Sequence, residues 1–115
     1  MRLVNLLKSK IHRATVTDAN VDYVGSIGVD QELMDRVGLL PGEKVHVWDI
    51  TNGERFETYV MAEEKGSGAI VINGAAAHRV HPDDLVIVAA FVLTDEPEIP
   101  KQILVDEKNR YVRNL

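Results

Sequence analysis

The sequence contains no cysteine, which excludes disulfides, thiolate metal sites and a cysteine nucleophile. That absence fits a reducing compartment. Aromatic residues make up only 5% of the 115 positions, too few for the stacking platforms that grip single-stranded nucleic acid. Positive charge is in deficit as well, with Lys+Arg 13 against Asp+Glu 18 and a net charge of -5. The resulting field repels phosphate backbones and anionic lipid surfaces; neither nucleic acid nor membrane is an expected partner. Long apolar runs are missing too. The longest, L-V-I-V-A-A-F-V-L from residue 85 to 93, falls far short of the roughly 20 residues that span a bilayer. The opening M-R-L-V-N-L-L-K-S-K has neither a signal-peptide core nor a small-residue cleavage site. A cytoplasmic location is the expectation.

What is present reads as one domain over residues 1–115, with 45% hydrophobic and 27% charged residues, ordinary values for a globular chain. β-Branched residues on either side of Asp18-Ala19-Asn20 suggest a strand, a tight turn and a second strand that ends at Gly25-Ser26. In D-Q-E-L-M-D-R-V-G, Asp30 can cap a helix whose Leu33, Met34 and Val37 share a face, and Gly38 can close it. A Pro41-Gly42 turn follows. K-V-H-V-W-D-I-T-N-G-E-R-F-E-T-Y-V-M is a hairpin of alternating strands, with Asn52-Gly53 able to take positive φ at both turn positions. G-S-G-A-I-V-I runs a buried strand into Asn73-Gly74, where three alanines suggest a short helical turn after an Asn cap. Beyond the His81-Pro82-Asp83-Asp84 loop, Leu85 to Leu93 is a central strand. From about residue 95 the chain is polar, holds Pro97 and Pro100, and is expected as a peripheral arm. Many short strands with few helices imply a closed or nearly closed β-barrel rather than a βαβ sheet.

The chemistry centres on Y-V-G-S-I-G-V-D, residues 23 to 30. A serine hydroxyl beside a glycine carbonyl can attack it when the peptide is strained and the forming oxyanion is hydrogen-bonded, because glycine has no side chain to obstruct the approach. The amide becomes an ester. Elimination and hydrolysis would then leave a ketone at residue 26, a carbonyl cofactor made from the chain itself. The same dipeptide also occurs in ordinary turns.

Context distinguishes the two. K-I-H-R at 10 to 13, Y-V-G-S at 23 to 26, W-D-I-T-N-G-E-R-F-E-T-Y at 48 to 59 and I-N-G-A-A-A-H at 72 to 78 occur in one order, and together they closely resemble the aspartate decarboxylase family. The resemblance covers about residues 1 to 94, with Gly28 standing where the family pattern has Thr or Ala. It implies a mainly β fold, a six-stranded double-psi β-barrel with short helices, cleaved between Gly25 and Ser26. The processed α and β chains would form a homotetramer with active sites between subunits; a maturation factor is neither required nor excluded. The implied cofactor is a pyruvoyl group derived from Ser26, and the implied activity is conversion of L-aspartate to β-alanine for pantothenate synthesis.

Roles follow from the same resemblance, beside plainer readings. Arg55 is the expected carboxylate ligand, its guanidinium offering two parallel donors; it could instead be a solvated hairpin arginine. Tyr59 is implied as the proton donor to Cα, or is a packing aromatic. Thr58 and Asn73 are implied in processing, yet a regular strand turns Thr58 away from Arg55 and Tyr59, so an irregular strand or a neighbouring subunit is expected there. Gly74, Ala75 and Ala76 offer backbone amides to the substrate, or form a tight strand exit. Lys10 matches an active-site lysine, whereas Lys8 reads as solvated. His12, Tyr23 and Trp48 match positions at or near the pocket and could equally be packing. His78, His81, Asp83 and Asp84 lack a third well-placed ligand, and no metal is expected. Two rival readings are a barrel that never matures and serves as a binding module, and pyruvoyl chemistry on another amino acid.

Overall fold

Strands that alternate buried and exposed residues build this chain, which the computed structural model describes over residues 1–115. They are β1 (Val4–Thr15), β2 (Asp18–Asn20), β3 (Ser26–Asp30), β4 (Lys44–Asp49), β5 (Arg55–Glu63), β6 (Ile70–Asn73), β7 (Leu85–Thr94), β8 (Lys101–Val105) and β9 (Tyr111–Asn114). One short helix, α1 (Gln31–Val37), follows β3, and a 3-10 turn (Gly74–His78) follows β6. The fold is mainly β, as expected. The strands form a single nine-stranded sheet in the order β2-β6-β3-β5-β4-β7-β1-β8-β9. Nine strands are therefore present where six were anticipated: a contiguous block from β6 to β1 is flanked by the short β2 and by the tail strands β8 and β9. Ile11, Ile27, Val29, Val47, Val60, Ile70, Ile72 and Val88 meet in the core without solvent exposure. No helix is long and apolar enough to cross a membrane.

Asp30 is the junction between strand and helix. Its carboxylate caps α1 by accepting from Glu32 N at 2.9 Å, and it also takes Gly66 N at 2.8 Å and Gly68 N at 2.9 Å. Burial raises its pKa, but the three N–H donors outweigh that and hold the carboxyl below its ordinary value. Gly38 closes the helix in the left-handed conformation, and the apolar face of Leu33, Met34 and Val37 is buried as anticipated.

The N-terminal segment, assigned no element from the sequence, is the 12-residue β1; at its buried position 9 the serine hydroxyl donates to Val37 O. Three expectations need correction. Lys8 is not solvated: its ammonium bonds Gly38 O at 2.7 Å and pairs with Glu43 at 2.8 Å. Asp18-Ala19-Asn20 is not a turn but β2, parallel to β6; the turn comes one step later, where Asn20 Oδ1 accepts from Asp22 N at 2.9 Å. The hairpin forms, but Asn52 does not take positive φ. A wider loop replaces the two-residue turn because Asp49 organises it, accepting from Thr51 N at 2.8 Å and Asn52 N at 3.1 Å.

The polar tail is also more than an arm. β8 runs parallel to β1 and buries Ile103 and Val105 in the core. Buried Asn109 then stitches the tail to the sheet, accepting from Thr15 N and donating to Thr15 O and Gly68 O.

Asp49 and Asp84 are both buried, at 3% and 8% exposure. Asp49 Oδ2 has no partner when both groups are ionised. Burial and the adjoining Asp84 carboxylate raise Asp49 to about 6, against the Asn52 and Thr51 N–H donors. A folded-state pKa above the unfolded one gives stability that is complete below the ordinary carboxylate value and is lost as pH rises through about 6. Asp49→Asn keeps the acceptor for the loop and donates to Asp84 without a charge. It is expected to be more stable than the parent at neutral pH, by on the order of 1–3 kcal/mol, with the difference shrinking toward pH 4. Urea unfolding across this pH range checks it; an advantage independent of pH would count against the shared proton.

Candidate functional site

Gly25 and Ser26 lie where a bend enters β3, not in a strand-to-helix connection; the helix begins only after Asp30. Ser26 is 7% exposed and faces Asn73 across the antiparallel β3–β6 pair. Residue 74 presses on this point. Gly74 has φ +74, and a Cβ there would lie 2.5 Å from Gly25 Cα, 2.8 Å from Gly25 N and 3.2 Å from Tyr23 O. Only glycine allows such an approach.

Asn73 occupies the cap position of the 3-10 turn, yet its side chain makes no capping bond. Its Oδ1 is buried without a partner, beside Ser26. A buried acceptor left open costs about 1–3 kcal/mol and so points to a use outside ordinary folding. Ala75 is exposed and Ala76 half-buried at the same corner, and Tyr23 is 62% exposed.

β5 lies on the other side of β3, parallel to it, with Ile27 opposite Val60. Carrying this register back one residue sets Ser26 beside Tyr59, while Gly25 already lies in the bend before β3. Thr58 shares the face of half-buried Phe56 and buried Val60, whereas Tyr59 shares the exposed face of Arg55 and Glu57. The anticipated irregularity of β5 is absent: its pairing with β4 runs unbroken from Lys44↔Tyr59 to Trp48↔Arg55. Thr58 and Tyr59 therefore face opposite ways on a regular strand, and the pairing of β5 with β3 begins one residue later, at Ile27 and Val60.

A second group lies across the outer face. Arg55 stacks on Trp48, its guanidinium carbon 4.6 Å from the ring centroid, and takes part in none of the chain's ion pairs. These two residues border a concavity of about 310 Å³ with His46, Phe56 and Glu57. A larger one, about 390 Å³, is lined by Asn5, Lys44, His46 and Phe91; Ser26 lines neither. Lys10 and His12 are on β1. Burial, then Lys10 and Arg13, lowers the pKa of His12, and its Nδ1 is buried without a partner. Four strand spacings separate β1 from β3 in the sheet order, about 19 Å when followed along the sheet. The histidine and aspartate segment is used structurally: Asp84 accepts from His81 N at 3.1 Å.

One residue on the Ser26 side of β3 escaped notice in the sequence. A Cβ on Gly28 would lie 2.8 Å from Glu63 Cγ and 2.9 Å from Glu63 Cδ. The Glu63 carboxyl thus occupies the space of a missing side chain; the only sign was a glycine where a larger residue was expected.

Comparison with known proteins accords with these motifs. Residues 2–112 match the family model described as aspartate decarboxylase. The aspartate 1-decarboxylase of Acetivibrio thermocellus is 53% identical over 113 residues, covering 95% of this chain and 90% of that protein. The aspartate 1-decarboxylase of Caldicellulosiruptor saccharolyticus is 54% identical over 115 residues, covering 96% and 90%. The match passes residue 94 and takes in β8 and the start of β9, so the tail is part of the shared pattern.

Gly74→Ala is expected to destabilise the fold by about 2–4 kcal/mol, combining left-handed strain with overpacking. Gly53→Ala, at φ +80 with nothing within 4 Å of its added Cβ, should cost only the strain, about 1–2 kcal/mol. Equal losses in urea unfolding would mean that the contact with Gly25 contributes nothing.

Proposed function

Because the chain belongs to the aspartate decarboxylase family, we propose that it cuts itself between Gly25 and Ser26 and converts L-aspartate to β-alanine and carbon dioxide in the cytoplasm, for pantothenate and coenzyme A synthesis. The observation that carries the reading is the Gly25-Ser26 dipeptide, approached at Gly25 so closely by Gly74 that no side chain fits there, with the open Oδ1 of Asn73 on the strand that pairs with Ser26. The donor set suits a pyruvoyl group at residue 26: no side chain stands at 25 or 74, and polar groups border a nearly dry position. That ketone, when present, supplies a sink for the electrons released with the substrate α-carboxylate.

The chain's own residues divide the remaining work. Arg55, held flat by Trp48 and without an internal partner, binds a substrate carboxylate through two parallel donors. Tyr59, on the Ser26 side of β5, holds the proton that Cα receives after carbon dioxide leaves. Backbone amides of Gly74 to Ala76 orient the substrate. Thr58 and Asn73 assist the cleavage, from the β5 and β6 sides of the scissile peptide. Lys10, His12 and Trp48 lie on the outer sheet face, which supports assembly of processed chains into a homotetramer in which one subunit supplies this face to the Ser26 of another, with Tyr23 at the rim. Purified protein that cleaves unaided needs no maturation factor.

Intact-mass measurement after incubation is expected to give fragments of 25 and 115 - 25 = 90 residues, the larger without a free amino terminus, together with carbon dioxide release from L-aspartate. Ser26→Ala should abolish both. One uncut mass with no carbon dioxide after prolonged incubation would overturn the proposal.

A further inference from the structure

β3 and β5 pair in parallel, Gly28 with Met61 and Asp30 with Glu63. Alternation along β3 puts Ser26, Gly28 and Asp30 on one side of the strand. On β5 the matching row is Tyr59, Met61 and Glu63. Glu63 starts opposite Asp30, but its side chain folds back over Gly28, with Cγ and Cδ within 3 Å of where a Cβ would stand. Its carboxylate has therefore moved one pleat toward Ser26. A further pleat, about 6.6 Å, remains between Gly28 and Ser26, and one water molecule spans such a gap between a carboxylate and a hydroxyl.

The other acid in this row cannot serve, because the Asp30 oxygens already accept from Glu32, Gly66 and Gly68 N–H groups. Lys65, just beyond, pairs with Asp35 at 3.7 Å. β6 presents only Val71 beside Gly28. Glu63 itself takes part in none of the chain's ion pairs.

We propose that Glu63 is a positioning residue for self-cleavage, its carboxylate lodged over Gly28 and accepting the Ser26 hydroxyl proton through a bridging water. As the Ser26 Oγ–C bond to the Gly25 carbonyl forms, the proton passes by way of the water to Glu63. When the C–N bond breaks, it returns by the same route to the departing nitrogen, and the amide has become an ester with no change in oxidation state. A missing side chain at residue 28 thus makes room for the carboxylate that holds this water.

The inference rests on the self-cleavage reading. Gly28→Ala tests it without removing the acid: the obstructing atoms are the end of a flexible side chain, so Glu63 swings away while the strand stays. Cleavage rates of newly made full-length protein, followed by intact mass, are expected to fall about a hundredfold in Glu63→Gln and comparably in Gly28→Ala. The double variant should be no slower than Glu63→Gln alone. The parent's rate should decline on acidification, and Glu63→Gln should lose that dependence while its urea unfolding stays near the parent's. A Glu63→Gln rate equal to the parent's, or a uniform slowing that keeps the parent's pH dependence, overturns the role of Glu63. A parent that never cleaves overturns the proposed function instead.

Discussion

Between residues 74 and 25 there is no room for a single methyl group. The chain leaves β6, turns through positive φ at Gly74, and lays that backbone against Gly25. This contact fixes the bend that enters β3, buries Ser26 just past the bend, and leaves the Asn73 side chain beside it rather than capping the 3-10 turn.

The surroundings keep that arrangement stiff. β3 is only five residues long, yet every one is buried. β5 and β6 flank it, and α1 continues from its end through the Asp30 carboxylate, which also ties in the loop at Gly66 and Gly68. A short strand held from both sides and at its exit has little freedom to move, so the close approach of Gly74 to Gly25 is kept. The Asp49 and Asp84 pair does the opposite at the far end of the hairpin, where two buried acids share too few donors at neutral pH.

Local signals in the sequence reached the helix with its caps, the hairpin and the central β7, because each is written in adjacent residues. The four motifs reached the family in the same way. β1 was hidden because its inward positions include Ser9, which is satisfied by a helix carbonyl 28 residues away, and no periodicity reports such a bond. The tail looked peripheral because its burial comes from only two apolar side chains, Ile103 and Val105, and from Asn109, a polar residue buried by virtue of its three hydrogen bonds. Thr58 and Tyr59 do face opposite ways, as a regular strand requires. Lys8, judged by its charge alone, gave no hint of the helix end it secures. Glu63 could not be found from its own surroundings in sequence, since its placement depends on an atom that Gly28 lacks.

The strand order has a bearing on what a cut chain could do. Residues 4 to 15 lie between β7 and β8, hydrogen-bonded on both edges, and Ile11 points into the core. A break after Gly25 therefore frees no one. The small piece would stay threaded through the interior of the large one and could depart only if the whole molecule came apart, so the two products would live and unfold together as a single body.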